Sequence, residues 1–182
     1  EKELNELGSL RAKADAIRTR LAKSINTKYQ ENPAYYENFS KRIKEALELY
    51  KARTITEAEY LAKMQDILED YRTGKSAIAY PDRIRANVHA QAFYGVLTAI
   101  FSNERLSVEP DFAAEMALDI TTIIEKHSQV DWTHNLTIHD RISQDTDDLF
   151  YRYQKEKGLV LSFDVIDMII ENVKTVALRR FA

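Results

Sequence analysis

The sequence predicts an all-α protein, a single bundle-like domain of about seven helices over residues 1–182. Three observations indicate this fold class. The 182 residues include only four glycines and three prolines, below the usual shares of about 7% and 5%, so material for the tight turns of a β protein is scarce. Apolar residues recur at steps of three and four along most of the chain, as on one face of a helix. Helix-capping residues stand between these segments.

The first helix is predicted to run to about residue 29, ahead of a bundle over residues 32–182. Its apolar stripe consists of Leu4, Leu7, Ala14, Ile17, Leu21 and Ile25. This helix is also rich in basic residues, which are Arg11, Lys13, Arg18, Arg20, Lys23 and Lys28. Only one acid, Asp15, stands among them. A solvated helix face is the more common explanation for such a run, and a stripe that contacts nucleic-acid phosphates is the alternative.

Helices two and three have local start and stop signals. Asn32-Pro33 predicts the start of the second helix, because asparagine can cap free backbone amides and proline fits the first helical turn. Thr56 and Glu59 form a capping box that predicts the start of the third helix. Gly74 predicts its end, since glycine adopts the left-handed C-terminal conformation at little cost.

The fourth helix is predicted over residues 82–103, and the fifth begins near Pro110. Residues 130–135 then break the apolar periodicity. The sixth helix is predicted to end at Gly158, which again suits a left-handed cap.

Ser162 is the predicted cap of the last helix, which carries a dense apolar face and ends in Arg179 and Arg180. Two arginines at the C-terminal end suit the helix dipole, so they require no partner.

Residues 130–135 contain the only tryptophan, Trp132, which the helical periodicity does not assign to a core stripe. Trp132 either plugs the junction of two helices or anchors a binding partner, and binding energy often concentrates at such residues. We therefore take Asp131, Trp132 and Arg141 as candidate partner-docking residues.

The common catalytic and metal-binding sequence motifs are largely absent from the chain. The chain has no cysteine, so it forms neither disulfides nor thiolate metal sites. Gly74-Lys75-Ser76 resembles the end of a phosphate-binding loop, but Glu69 stands where that motif requires glycine. No Asp-Glu dipeptide is present to hold the magnesium of an ATPase, and no two histidines are four residues apart. We expect no catalytic residue, no metal and no cofactor in this sequence.

Composition also bears on location and partners. The net charge of −3 disfavours a surface that coats DNA all over. No apolar run reaches the roughly 20 residues of a membrane span, and the N-terminus does not have the pattern of a signal peptide. We expect a soluble, cytoplasmic protein that does not bind membranes. Because the sequence begins with Glu1, we also expect it to be part of a larger protein.

Several segments, in order, resemble the C-terminal helical region of the R (motor and endonuclease) subunit of type I restriction-modification enzymes. The resemblance spans nearly the whole chain, and each segment alone is weakly specific. The segments are Lys13-Ala14-Asp15-Ala16-Ile17, Asn32-Pro33-Ala34-Tyr35-Tyr36, Phe39-Ser40, Ala92-Phe93-Tyr94-Gly95, Asp131-Trp132, and Ile142 with Asp147-Asp148-Leu149.

The resemblance implies a non-catalytic domain in an ATP-dependent endonuclease and DNA translocase. In that family the nuclease and motor domains lie upstream, where ATP and Mg²⁺ would be used, and the first helix would continue from the motor. The C-terminal helical region is associated with assembly onto the methyltransferase and specificity subunits. The predicted function is thus assembly of the restriction complex, with DNA passing through it. The alternative is direct DNA binding through the basic first helix.

Overall fold

The computed structural model describes residues 9–75, 78–129 and 131–182. This part of the chain is 81% helical and contains seven α-helices and no strand, which confirms the all-α class. The helices are α1 (Leu10–Lys28), α2 (Pro33–Lys51), α3 (Glu57–Thr73), α4 (Val88–Asn103), α5 (Pro110–His127), α6 (Leu136–Lys157) and α7 (Phe163–Arg180). Short 3₁₀ turns are formed by Tyr29–Glu31, Asp82–Ile84 and Trp132–His134.

The helices are grouped in two compact units. The N-terminal unit comprises residues 1–29 and 35–79, and the C-terminal unit comprises residues 30–34 and 80–182. Each unit has its own cluster of buried apolar side chains. That residues 1–182 form one domain stays a prediction.

In the N-terminal unit, α1 packs against α3 along the apolar stripe of α1. Ala14, Ile17, Leu21 and Ile25 are buried as predicted, while Leu4 and Leu7 lie outside the described residues. Tyr60 of α3 is fully buried and its ring stacks on Tyr50, with 4.8 Å between the ring centroids. The first helix therefore belongs to a three-helix core.

Most of the predicted caps are present. Thr56 and Glu59 form both hydrogen bonds of the capping box. Gly74 and Gly158 end α3 and α6 in the left-handed conformation, with φ of 72° and 68°. The Ser162 hydroxyl accepts the backbone N–H of Val165 at the start of α7. These signals were readable from the sequence because each involves only neighbouring residues.

The predicted start of the fourth helix at residue 82 was wrong. Asp82–Ile84 is a separate 3₁₀ turn, and α4 begins at Val88. Asn87 is the N-cap, because its side-chain oxygen accepts the backbone N–H groups of His89 and Ala90. Asparagine is among the strongest N-cap residues, so this signal was present in the sequence and was missed.

In the C-terminal unit, α4 lies between α5 and α7, and α6 packs on α5 and α7. Residues 30–34 belong to this unit and approach α4 closely at Gly95. An added Cβ on Gly95 would lie 2.6 Å from the Ala34 Cβ and 3.6 Å from the Asn32 Oδ1. Only a residue without a side chain permits this approach.

The end of α7 is held by long-range hydrogen bonds. The Arg180 guanidinium donates to the backbone carbonyls of Glu31 and Val88, at 3.0 Å each, and to Nδ1 of His89 at 3.3 Å. The His89 ring lies 4.4 Å from the ring of Phe181. The expectation that Arg180 requires no partner was wrong, because this side chain bridges three separate segments of the C-terminal unit.

Candidate functional site

Trp132 is a core residue. Its side chain is 3% exposed, and its indole N–H donates to the Phe181 carbonyl at 3.0 Å. His139 packs against the indole ring at a centroid distance of 5.8 Å. Of the two interpretations of Trp132, the structure agrees with the one in which its side chain fills the junction between helices. The Trp132 side chain is therefore buried where a partner could not dock on it.

Asp131 and Arg141, the other two candidate docking residues, are both exposed. Asp131 has a φ of 61°, a left-handed conformation that aspartate tolerates better than most residues. It immediately precedes the turn that directs the Trp132 ring inward. A docking role for Asp131 and Arg141 stays a prediction.

The six basic residues of α1 do not form one stripe. Arg11 and Arg18 lie on one side and pair with Asp15, at 3.7 and 3.3 Å. The Arg11 guanidinium also lies 6.0 Å from the centroid of the Tyr50 ring. Asp15 in turn accepts the Tyr60 hydroxyl at 3.4 Å. Arg11 and Arg18 therefore take part in contacts inside the N-terminal unit.

Lys13, Arg20 and Lys23 follow one another at steps of seven and three, so they share the other side of α1. Arg20 and Lys23 are exposed, as is Lys28 in the last turn of the helix. In the part of the chain that the structure describes, Lys13 and Lys23 form no ion pair. Lys13, Arg20 and Lys23 thus share one side of α1, on which Arg20 and Lys23 are exposed and Lys13 is half-buried.

Charge is distributed unequally between the two units. The N-terminal unit has 15 Lys and Arg residues against 12 Asp and Glu, a net charge of +3. The C-terminal unit has 11 against 17, a net charge of −6. The small net charge of the whole chain conceals this difference.

The outward side of α6 carries large side chains that nothing in the described chain covers. We define the α6 face as Leu136, Asp140, Gln144, Asp147 and Tyr151. These residues follow one another at steps of four, four, three and four, so they line one side of the helix. The two ends of the face are apolar and aromatic: Leu136 is 75% exposed and Tyr151 is 64% exposed.

The carboxylates of the α6 face are accessible. Asp140, Asp147 and the adjacent Asp148 are exposed and take part in no ion pair among the described residues. Asp145 differs, because it accepts hydrogen bonds from Lys126 and His127 of α5, each at 2.8 Å. These two hydrogen bonds lower the pKa of Asp145.

Two further apolar side chains protrude where α6 connects to α7. Val160 and Phe163 are each 84% exposed. Scattered exposed apolar residues are ordinary on protein surfaces, and two residues form only a small apolar patch. It extends the exposed apolar surface of the C-terminal unit without forming a groove.

The grooves of the C-terminal unit are charged. One of about 340 Å³ runs between α5 and α6 and is lined by residues that include Asp119, Lys126, Asp145 and Arg152. Small-molecule sites are mostly apolar and enclosed. This groove is charged and open, so it does not have the character of a small-molecule site. Within residues 9–75, 78–129 and 131–182, no three His, Asp or Glu side chains are arranged to hold a metal ion. No described helix is both long and apolar enough to cross a bilayer.

The structure is an all-α fold in the described chain. The side chains that are available to other molecules lie on exposed helix faces, such as the α6 face. Residues 1–176 match the family described as "Type I restriction enzyme HindI endonuclease subunit-like, C-terminal". Because the match covers nearly the whole chain, the protein belongs to this family, and the resemblance seen in the sequence is confirmed. No curated protein and no solved structure matches the chain.

The segments that carry the resemblance lie mainly at helix contacts. Phe39, Phe93 and Ile142 are fully or almost fully buried. Ala34 and Gly95, from two different segments, meet at the close approach described above. Much of the resemblance therefore reflects helix packing.

Proposed function

We propose that this domain is a non-catalytic assembly domain of its restriction enzyme subunit. It would hold the subunit on the methyltransferase and specificity subunits during ATP-dependent DNA translocation and cleavage. ATP and Mg²⁺ would be used by motor and nuclease domains upstream in the same polypeptide. The family supports the restriction-complex context, and the exposed α6 face is the observation that carries the assembly role.

The α6 face carries one residue type that protein interfaces favour, the exposed Tyr151. Tyrosine is enriched among the residues that dominate binding energy, and a polar rim usually surrounds such anchors. On α6, Tyr151 and Leu136 are exposed at the two ends, with polar side chains between them. A partner that covered α6 would bury both of these side chains.

The assembly role is tested with the full-length subunit and a version that lacks this domain. Each is mixed with the purified methyltransferase–specificity core, and complex formation is followed by size-exclusion chromatography and by titration. We expect the shortened subunit to lose co-elution while its upstream domains keep their DNA-stimulated ATPase activity. Co-elution of the shortened subunit at unchanged affinity would contradict the proposal.

Direct DNA binding through α1 is the second candidate function. The positive charge of the N-terminal unit and the shared side of Lys13, Arg20 and Lys23 favour it. Each phosphate contact releases counterions, so the logarithm of the binding constant should fall with the logarithm of salt at about 0.9 per contact.

This alternative is tested by replacing Lys13, Arg20 and Lys23 together with glutamine. If these residues contact phosphates, the salt slope for duplex DNA falls by up to about 3. A matched control replaces three exposed lysines of α2 in the same unit, which are Lys41, Lys44 and Lys51. Equal losses in the two triple variants would indicate a general charge effect, and no retardation at low salt would exclude the function.

A further inference from the structure

We infer that the α6 face docks on a protein surface that carries lysines or arginines, with Tyr151 as its main anchor. This inference rests on the proposed assembly function and identifies the contact surface and the chemistry of the partner. The occupant is a basic surface on the methyltransferase–specificity core. Neither DNA nor a second copy of this chain is the expected occupant.

The extent of the α6 face fits a protein partner. Leu136 and Tyr151 are fifteen residues apart, which corresponds to about 22 Å along a helix. A standard interface buries about 800 Å² on each partner, a patch roughly 30 Å across. The α6 face therefore spans most of such a patch along one straight element.

Charge determines which partner is favoured. Asp140, Asp147 and Asp148 are exposed without ion pairs among the described residues, and two exposed basic residues, Arg141 and Lys155, lie beside them on α6. Arg152, at the edge of the face, lies 3.8 Å from Asp119 of α5. The remaining charge is negative, as is that of the whole C-terminal unit. DNA phosphates would be repelled, and a Lys- or Arg-bearing protein surface would be attracted.

Tyr151 differs from the tyrosines that the fold uses. Tyr153, two residues later, is buried and its hydroxyl donates to Asp119 at 2.6 Å. Burial and this hydrogen bond to a carboxylate raise the pKa of Tyr153. Tyr151 is 64% exposed and forms no hydrogen bond or ring contact within the described chain. Its aromatic ring can be covered by a partner without disturbing the core.

The test uses the full-length subunit and titrates variants of the α6 face with the methyltransferase–specificity core. Tyr151→Ser removes the anchor, and Asp147→Lys reverses one charge of the face. Asp167→Lys is the matched control, because Asp167 is an exposed acid on α7 of the same unit. Circular dichroism and thermal unfolding of each variant chain verify that the fold is retained.

We expect Tyr151→Ser and Asp147→Lys each to raise the dissociation constant about tenfold or more. Asp167→Lys should change it less than twofold. Wild-type affinity should also fall as salt increases, because the attraction is between exposed charges.

The outcomes separate this inference from the proposed function. If both face variants bind the core as the wild type does, while the subunit without the domain does not bind, assembly stands and the α6 face is wrong. An equal loss for Asp167→Lys would overturn the inference, because overall charge would then be responsible. Sedimentation that shows self-association lost on Tyr151→Ser, with core binding unchanged, would assign the face to a second copy and overturn it.

Discussion

Substituting Gly95 by alanine tests the close approach of residues 30–34 to α4 in the C-terminal unit. The new Cβ would lie 2.6 Å from the Cβ of Ala34, whereas two carbon atoms at optimal separation are about 3.5–4.0 Å apart. The two segments would have to separate by about 1 Å. The Ala34 methyl group is fixed to its backbone and cannot rotate away, so the chain itself must move.

The expected loss of stability follows from two opposing terms. Overpacking of a close contact costs about 1–3 kcal/mol, while replacing glycine by alanine within a helix contributes about 1 kcal/mol of stability. Because the obstacle is a rigid methyl group, the cost should lie in the upper part of its range. We expect Gly95→Ala to lower the free energy of unfolding of the C-terminal unit by about 1–2 kcal/mol.

The unfolding of this unit can be followed separately. The only tryptophan of the chain, Trp132, is buried in it, so tryptophan fluorescence reports its unfolding. With a urea m-value of about 2 kcal/mol/M, the midpoint should fall by roughly 0.5–1 M. Adding Ala34→Gly should restore most of the loss, because the second substitution removes the obstructing methyl group. If Gly95→Ala alone raises the midpoint, the close approach of Ala34 and Gly95 is refuted.

Three further predictions concern the core and the end of α7. Trp132→Ala should destabilise the C-terminal unit by about 3–5 kcal/mol. Trp132→Phe, which mainly loses the hydrogen bond to Phe181, should cost about 1–2 kcal/mol. Urea unfolding of both variants is followed by circular dichroism, because they lack the tryptophan signal, and near-wild-type stability of both would contradict the burial of Trp132. Arg180→Lys should lower the midpoint nearly as much as Arg180→Ala, because an ammonium group lacks the planar fork of donors; full rescue by lysine would show that charge alone matters. Burial and the adjacent Arg180 lower the pKa of His89, so its contribution to stability should be full above the unfolded pKa of about 6.5 and decrease at lower pH. The stability difference between wild type and His89→Gln should therefore shrink between pH 7.5 and 5.5, and a constant difference would refute this linkage.

The α6 face could be predicted from the sequence only in part. The apolar pattern predicted α6, and the structure shows that Asp147 and Asp148 face water. Asp145 lies instead against α5, bound to Lys126 and His127. Tyr151 and Tyr153 are only two residues apart, and their different roles depend on which side of α6 the neighbouring helices cover.

What the sequence by itself determined is local. Glycine and proline scarcity, apolar periodicity and caps such as Thr56, Gly74 and Gly158 act within a few residues, so they predicted the fold class and most helix ends. The tertiary structure decided which polar and aromatic groups were already used: Trp132 in the core, Arg180 across three segments, and Asp15 with the hydroxyl of Tyr60. Exposure depends on which helices meet, and contacts between residues far apart in the chain are not contained in a helical period.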